Sequence, residues 1–116
     1  MAETFGSFLR EIRESRGISN RALANQIGIA PGYMNDIEKG RRNPPPGRLE
    51  RIAAVLRMTQ EEKAKMYDLA GNARNEIPDD ITEYLKGHEA AQAVIRRALM
   101  EGKDDAFWKA VGGLMG

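Results

Sequence analysis

Apolar residues recur every three or four positions along the chain, and strand-like alternation never extends over five residues. This pattern predicts α-helices and an all-α fold. In the first part of the chain it predicts five helices, over residues 4–16, 19–26, 30–39, 46–57 and 59–70. The apolar faces of the first four supply the predicted core residues, which are Phe5, Phe8, Leu9, Ile12, Leu23, Ala24, Ile27, Met34, Ile37, Leu49, Ile52, Ala53 and Leu56.

Capping residues set the expected ends of these helices. Ser19 is a good N-cap for the second helix, and Thr59 with Glu62 has the spacing of a capping box at the start of the fifth. Gly28 suits the positive φ of a C-terminal turn. The prolines at 44–46 prevent a helix until the last of them, which suits a first helical position.

A polar stretch divides the chain after Gly71, which is expected to close the fifth helix. Residues 72–78 are predicted as a hinge between a domain over residues 4–71 and a helical extension over 79–116. The extension is expected to contain three helices, near residues 79–86, 88–101 and 104–114.

The extension carries more apolar side chains than three short helices can bury among themselves. They could fold onto the fifth helix of the same chain, form a dimer interface, or dock a different protein. We favour the dimer interface, because aromatic residues such as those at 107 and 108 are enriched in interface cores. The candidate dimerisation residues are Tyr84, Val94, Leu99, Phe107, Trp108 and Val111.

Composition narrows the class of protein. The 116 residues suffice for one compact domain with a small appendage. The chain has no Cys, which excludes disulfides and thiol chemistry. With one His and no Cys, few metal ligands are available, and we expect neither a metal nor a cofactor. The N-terminal residues lack the apolar run of a signal peptide, and no window reaches the length of a membrane span. We therefore expect a cytoplasmic protein with no membrane partner.

The formal net charge of +1 conceals an asymmetry. Residues 1–58 carry ten Lys or Arg and six Asp or Glu, whereas residues 59–116 carry eight and eleven. A basic first half favours an anionic partner such as a phosphate backbone. The acidic pairs at 79–80 and 104–105 stand at predicted helix starts, where capping and the helix dipole explain them. With no catalytic triad, phosphate loop or metal spacing, we do not expect an enzyme.

The second and third predicted helices have the spacing of a helix-turn-helix. Residues 19–26 and 30–39 flank the short turn Ile27-Gly28-Ile29. Small and branched side chains let two such helices cross closely, which leaves one face of the second helix for another partner. A helix of this kind fits the major groove of B-form DNA, which is about 12 Å wide.

The stretch ISNRALANQIGIAPGYMNDIEKGRRNP resembles the lambda-repressor-like helix-turn-helix family, also called the Xre or Cro/C1 type. The resemblance rests on Leu23-Ala24 in the second helix, on the Ile-Gly-Ile turn, and on the run from Tyr33 through Ile37-Glu38-Lys39-Gly40. Basic residues and a proline follow, as in the family. The resemblance covers about residues 5–71 and implies a five-helix DNA-binding domain, here with a C-terminal helical extension.

The resemblance also implies roles for individual residues. The base-facing positions of the third helix are matched by Pro31, Gly32, Asn35 and Asp36. The positions that contact backbone phosphates are matched by Asn20, Arg21, Tyr33, Lys39, Arg41 and Arg42. A salt bridge between the first and third helices is implied for Arg13 and Glu38.

The start of the third helix departs from the family, which usually has Ser, Thr or Gln where Ala30 and Pro31 stand. Neither Pro31 nor Gly32 can donate to a base edge, whereas Asn35 could pair with adenine and Asp36 could accept from cytosine N4. We therefore expect modest base discrimination in each half-site. Backbone contacts and DNA shape would supply much of the selectivity.

These features predict a sequence-specific regulator of transcription, a repressor, that binds double-stranded DNA. A homodimer would place the helix at residues 30–39 of each protomer in successive major grooves, about 34 Å apart. The alternative is an antitoxin or adaptor whose C-terminal helices bind another protein, such as a toxin, because antitoxins often carry this same fold.

Overall fold

The computed structural model describes residues 3–45 and 47–116. These residues form eight α-helices and no strand, which confirms the all-α fold. In chain order the helices are α1 (Phe5–Ser15), α2 (Asn20–Ile27), α3 (Pro31–Glu38), α4 (Leu49–Val55), α5 (Gln60–Arg74), α6 (Asp79–Lys86), α7 (Glu89–Met100) and α8 (Asp105–Gly113). Over the described ranges, none of the helices combines the length and apolar character needed to cross a bilayer.

The chain divides into two compact units, one ending at Asp80 and the other spanning Ile81–Gly116. In the first unit, α3 packs against α1 and α2, α4 packs against α2, and α5 packs against α1 and α4. All the predicted core residues are buried, and α5 adds Met66, Tyr67 and Ala70 to them. A buried aliphatic or aromatic side chain stabilises a fold by about 1.5–3 kcal/mol. The packing of this core therefore holds α3 in its place in the first unit.

Three of the predicted helix ends are confirmed. The Ser19 hydroxyl accepts the Ala22 N–H at 3.1 Å and caps α2. Thr59 and Glu62 form the reciprocal capping box of α5, with bonds of 3.1 and 2.9 Å. Gly28 ends α2 with a φ of 76°, in the left-handed region that favours glycine.

The predicted end of the fifth helix is wrong. Gly71 lies inside α5, which continues to Arg74 and ends where Asn75 takes the left-handed conformation. A methyl group on Gly71 would lie 2.8 Å from the Glu76 carbonyl oxygen and 3.1 Å from the Pro78 nitrogen. Glycine is needed here because the chain returns closely past the helix, and the first three residues of the predicted hinge are helical.

The fourth helix begins later than predicted. Pro46, its expected first residue, lies outside the described residues, and α4 starts at Leu49. Gly47 has a φ of 73°, which a right-handed helix does not accommodate. The glycine turn therefore sets the start of this helix, which lies three residues after the start that the prolines predicted.

Arg16 joins the end of α1 to α4 and α5. Its Nε donates to the Leu56 carbonyl oxygen at 3.0 Å, and its Nη2 contacts the Glu62 carboxylate at 2.6 Å. The pKa of Glu62 is lowered, first by the hydrogen bond from the Thr59 backbone N–H and then by Arg16. One carboxylate thus serves both the helix cap and the contact between helices.

Candidate nucleic-acid interface

The helix α3 has a buried face and an accessible face. Met34 and Ile37 on the buried face are 0% and 1% exposed, and they pack in the core of the first unit. The predicted base-facing residues all lie outside this core. Gly32 and Asn35 are exposed, and Pro31 and Asp36 are half-buried. The surface expected to enter a DNA groove is therefore accessible in the free chain.

The start of α3 lacks a side-chain cap. Ala30 occupies the N-cap position in an extended conformation, and its methyl group accepts no hydrogen bond. Pro31 follows at the first helical position, where its missing N–H costs nothing. Because α3 has only eight residues and no cap, tertiary contacts must hold it in place.

One of these contacts is an ion pair at the other end of the helix. Arg13 of α1 donates to Glu38 through Nε at 2.6 Å and through Nη2 at 3.0 Å. Its Nη1 donates to the Ile18 carbonyl oxygen at 2.9 Å. The two charged side chains are only 11% and 6% exposed, and the hydrogen bond to Glu38 raises the pKa of Arg13. This is the pair for which the family resemblance implies a salt bridge.

A second contact between the same helices depends on Gly6, which the sequence reasoning missed. A Cβ atom on Gly6 would lie 2.4 Å from the Ile37 carbonyl oxygen and 2.5 Å from that of Glu38. The backbone of α1 therefore touches the last turn of α3 directly. The sequence offered one sign of this, since Gly6 is a poor helix former that stands inside the predicted first helix.

The chain reverses immediately after α3. Gly40 has a φ of 77°, and the backbone N–H groups of Arg41 and Arg42 both donate to the Asp36 carbonyl oxygen, at 2.8 and 3.3 Å. This glycine-dependent turn satisfies a carbonyl at the helix end. It also places two exposed arginine side chains next to the accessible face of α3.

Four of the predicted DNA-contacting residues form one cluster. The Arg42 guanidinium lies over the Tyr33 ring, 5.0 Å from its centroid. The Asp36 carboxylate lies 3.6 Å from Arg41 Nη1 and 4.0 Å from Arg42 Nε. We call Asp36, Arg41 and Arg42 the ion cluster.

The remaining predicted phosphate contacts lie on α2 and at the end of α3. Asn20 is the first residue of α2 and is half-buried, while Arg21 and Lys39 are exposed. Within residues 3–45 and 47–116, neither Arg21 nor Lys39 has an ion-pair partner within 4.0 Å. Both cations are thus available to an external anion.

Arg74 is a further residue that the sequence reasoning missed. It lies in the last turn of α5, and its Nη2 donates to the Pro44 carbonyl oxygen. Together with Tyr33, Arg41 and Arg42 it lines an open cleft beside the loop that follows α3. The sequence gave no indication that Arg74 lines this cleft, because basic residues are common in the last turn of a helix, where they interact favourably with the helix dipole.

The dimerisation candidates lie in the second unit. Tyr84, Val94 and Leu99 are 61%, 54% and 68% exposed, large fractions for such side chains. Phe107, Trp108 and Val111 of α8 are half-buried, and the first two pack edge to face with ring centroids 5.0 Å apart. An open groove is lined by Val94, Arg97, Ala98, Glu101, Lys103 and Phe107.

The site offers cations and hydrogen-bonding groups. Over the described part of the chain, no group of three or more His, Asp and Glu side chains is arranged to hold a metal ion. The predicted contact residues supply guanidinium and ammonium groups, the amides of Asn20 and Asn35, the Tyr33 phenol and the Asp36 carboxylate. This set suits recognition of a polyanion.

Comparisons with known proteins agree with this geometry. A helix-turn-helix domain family matches residues 4–66. An uncharacterized HTH-type transcriptional regulator of Bacillus subtilis, RghRB, is 30% identical over 101 residues, which is 86% of this chain and 70% of that protein. The HTH-type transcriptional repressor RghR of the same organism is 33% identical over 60 residues, covering 51% of this chain and 44% of that protein.

Among solved structures, a chain of the SinR protein/SinI protein complex is similar, with a TM-score of 0.45 and 20% identity. The match covers 97% of this chain and 94% of that one. The family match spans more than half of the chain, and the match to RghRB extends through most of it. The chain therefore belongs to a helix-turn-helix family of transcriptional regulators.

Proposed function

We propose that this protein is a sequence-specific repressor that binds double-stranded DNA as a homodimer, with α3 of each protomer in the major groove. The observation that carries the proposal is the accessible face of α3, flanked by exposed cationic side chains at both ends of the helix-turn-helix. Arg21 lies on α2, and Lys39, Arg41 and Arg42 follow α3.

The two kinds of contact have separate tasks. The cations and Tyr33 would position the domain on the phosphate backbone, which supplies affinity without sequence information. Asn35 would read a base edge, because its amide can pair with adenine through two hydrogen bonds. Pro31 and Gly32 would contribute shape and van der Waals contact only, so discrimination at each half-site would be modest.

The repressor assignment rests on two supports. The related RghR is a transcriptional repressor by name. In addition, a small DNA-binding unit that occupies an operator can block transcription by occupancy alone. The match covers 44% of RghR, so the role of that whole protein comes to this chain only as part of the proposal.

The homodimer is supported by the exposed apolar side chains of the second unit. Leu99, Met100 and Val94 are each more than half exposed, and a soluble monomer gains nothing from exposing them. A dimer would also supply the two-fold symmetry that a palindromic operator requires. The alternative occupant of this surface is a different protein, such as a toxin.

The DNA-binding part of the proposal predicts a defined response to salt. The logarithm of the association constant should fall linearly with the logarithm of salt concentration, by about 0.9 per phosphate neutralised. Arg41→Ala and Arg42→Ala should each flatten this slope by about 0.9. Asn35→Ala should instead keep the slope and lose about 1–3 kcal/mol of discrimination at one base position. Fluorescence anisotropy on duplexes obtained by in vitro selection measures both quantities.

A matched control is available on α1. Arg10 is an exposed arginine that pairs with Glu14 at 3.6 Å, outside the helix-turn-helix. Arg10→Ala should leave slope and affinity unchanged. Affinity that does not depend on salt, or equal effects of all three arginine variants, would contradict the proposed interface.

The dimer predicts that a charge in the apolar surface separates the protomers. Leu99→Glu should weaken dimerisation at least tenfold, because a carboxylate would replace an apolar contact, while the fold tolerates it at a side chain 68% exposed. Ile77→Glu is the matched control, since Ile77 is 63% exposed but lies in the first unit. Sedimentation equilibrium measures the dimer constant.

Two outcomes would contradict the homodimer. One is a wild-type chain that sediments as a monomer at every concentration up to about 100 µM. The other is a stable one-to-one complex with a second small protein that Leu99→Glu disrupts, which would establish the antitoxin or adaptor function in its place.

A further inference from the structure

The ion cluster combines residues that would have opposite effects on DNA binding. Arg41 and Arg42 would attract phosphates, whereas the Asp36 carboxylate would repel them. In the free chain this carboxylate lies 3.6 Å from one guanidinium and 4.0 Å from the other. All three side chains are at least one-third exposed, so the cluster lies in contact with solvent.

The local backbone enforces this arrangement. Gly40 turns the chain back over the end of α3, and the amides of Arg41 and Arg42 both bind the carbonyl oxygen of Asp36. Because the same residue supplies the carbonyl and the carboxylate, the two arginine side chains begin beside that carboxylate. The proximity is thus a property of the turn and does not require the weak ion pairs to create it.

The contact itself adds little stability, since exposed ion pairs contribute about 0–1 kcal/mol. Its effect is on the charge that an approaching duplex meets. With the carboxylate within 4.0 Å of both guanidinium groups, the cluster presents a net charge of about +1, compared with +2 for the two arginines alone. A phosphate that engages either arginine must also approach the carboxylate.

We propose that Asp36 is a specificity determinant that acts as an internal competitor for phosphate. It lowers the affinity of the Arg41–Arg42 loop for any duplex, so that backbone attraction alone holds the protein weakly. Favourable base contacts by α3 then contribute a larger share of the binding free energy at an operator. This inference rests on the proposed function, because it concerns how the same surface discriminates among DNA sequences.

The proposal also accounts for the poor chemistry at the start of α3. Pro31 and Gly32 provide no hydrogen bond to a base, so little base discrimination is available there. A protein with few base contacts can still distinguish its operator if its non-specific binding is weak, because the relevant quantity is the ratio of the two affinities. Asp36 would improve this ratio without any new base contact.

The test is Asp36→Asn, which keeps the shape of the side chain and removes its charge. Affinity for a mixed-sequence duplex should rise about fivefold to tenfold at low salt, and the salt slope should steepen by about 0.9 as one more phosphate is engaged. Affinity for the selected operator should rise less, so the ratio of specific to non-specific affinity should fall. Asp68→Asn is the matched control, because Asp68 is an exposed aspartate on α5.

A second background tests the mechanism. In the Arg41→Ala/Arg42→Ala double variant the carboxylate has no cations to neutralise and only its direct repulsion of phosphates is left, so Asp36→Asn should raise non-specific affinity clearly less than it does in the wild-type background. An undiminished gain in that background would overturn the proposal, and so would unchanged non-specific affinity in the single variant. Selective loss of operator binding by Asp36→Asn would overturn it too, since that result identifies Asp36 as a base reader. If the wild-type chain bound no duplex at all, the proposed function itself would fail.

Discussion

Replacing Glu38 with glutamine should destabilise the first unit by about 3–5 kcal/mol, the usual cost of removing one partner of a buried ion pair. The substitution keeps the shape of the side chain but leaves the Arg13 guanidinium, 11% exposed, without its counter-charge. Urea denaturation followed by circular dichroism measures the free energy of unfolding. Because Glu38 ends α3, DNA affinity should also fall, even though Glu38 lies away from the accessible face.

A double substitution distinguishes the charge from the packing. Arg13→Met together with Glu38→Leu removes both charges and fills the same space with apolar atoms. This variant should recover most of the lost stability, since apolar replacements of buried pairs are often neutral or stabilising. Lys63→Met provides a control, because it removes one partner of an exposed pair with Glu50 and should cost no more than about 1 kcal/mol. A loss below 1 kcal/mol for Glu38→Gln would show that the Arg13 contact does not hold α3.

Replacing Gly6 with alanine should have a comparable effect through a different cause. The new methyl group would meet the carbonyl oxygens of Ile37 and Glu38 at 2.4 and 2.5 Å, and both belong to backbone that cannot rotate away. The helices α1 and α3 would have to separate, with an expected loss of about 3 kcal/mol, at the upper end of overpacking costs. Thermal unfolding measures the loss, and DNA affinity should fall with it.

The control for this variant is another helical glycine in the same unit. A methyl group on Gly32 would meet nothing within 4 Å, so Gly32→Ala should leave stability unchanged or raise it by up to about 1 kcal/mol. If both alanine variants had the same stability, the close approach of α1 to α3 would be refuted. The comparison uses unfolding alone, because Gly32 belongs to the proposed DNA face.

Local patterns in the sequence were sufficient to predict most of the fold. The apolar spacing identified the eight helices seen in residues 3–45 and 47–116, and the predicted core residues are all buried. Ser19 and the pair Thr59–Glu62 were predictable as caps because capping depends only on neighbours within one turn. Local information of this kind is fully present in a single sequence.

Contacts between distant segments were less predictable. Gly71 suggested a helix end by local rules, and its actual purpose depends on where residues 76–78 return past α5. Gly6 weakens α1 when considered alone and is explained only by α3 lying against it. The link from Arg74 to Pro44 likewise joins positions thirty residues apart. The features at Gly6 and Arg74 depend on tertiary geometry that no short sequence window contains, and the one at Gly71 depends on the path of the chain after the helix.

The candidate site likewise has features that the sequence predicted and features that it did not. The family resemblance supplied the residues, including the Arg13–Glu38 pair, but spacing alone did not indicate that Asp36 lies beside Arg41 and Arg42. That proximity follows from the left-handed turn at Gly40. The individual roles in DNA contact remain predictions for the salt and selection experiments.

Because contacts on its buried side hold α3, the residues on its exposed side are free to change during evolution. Arg13, Gly6 and the buried side chains fix the helix without help from its outer residues, and its first turn has no cap to lose. Positions 32 and 35 can therefore vary without a large cost in folding free energy. Under the proposed function, single substitutions on this outer surface would change the preferred operator, which opens the scaffold to retargeting by design.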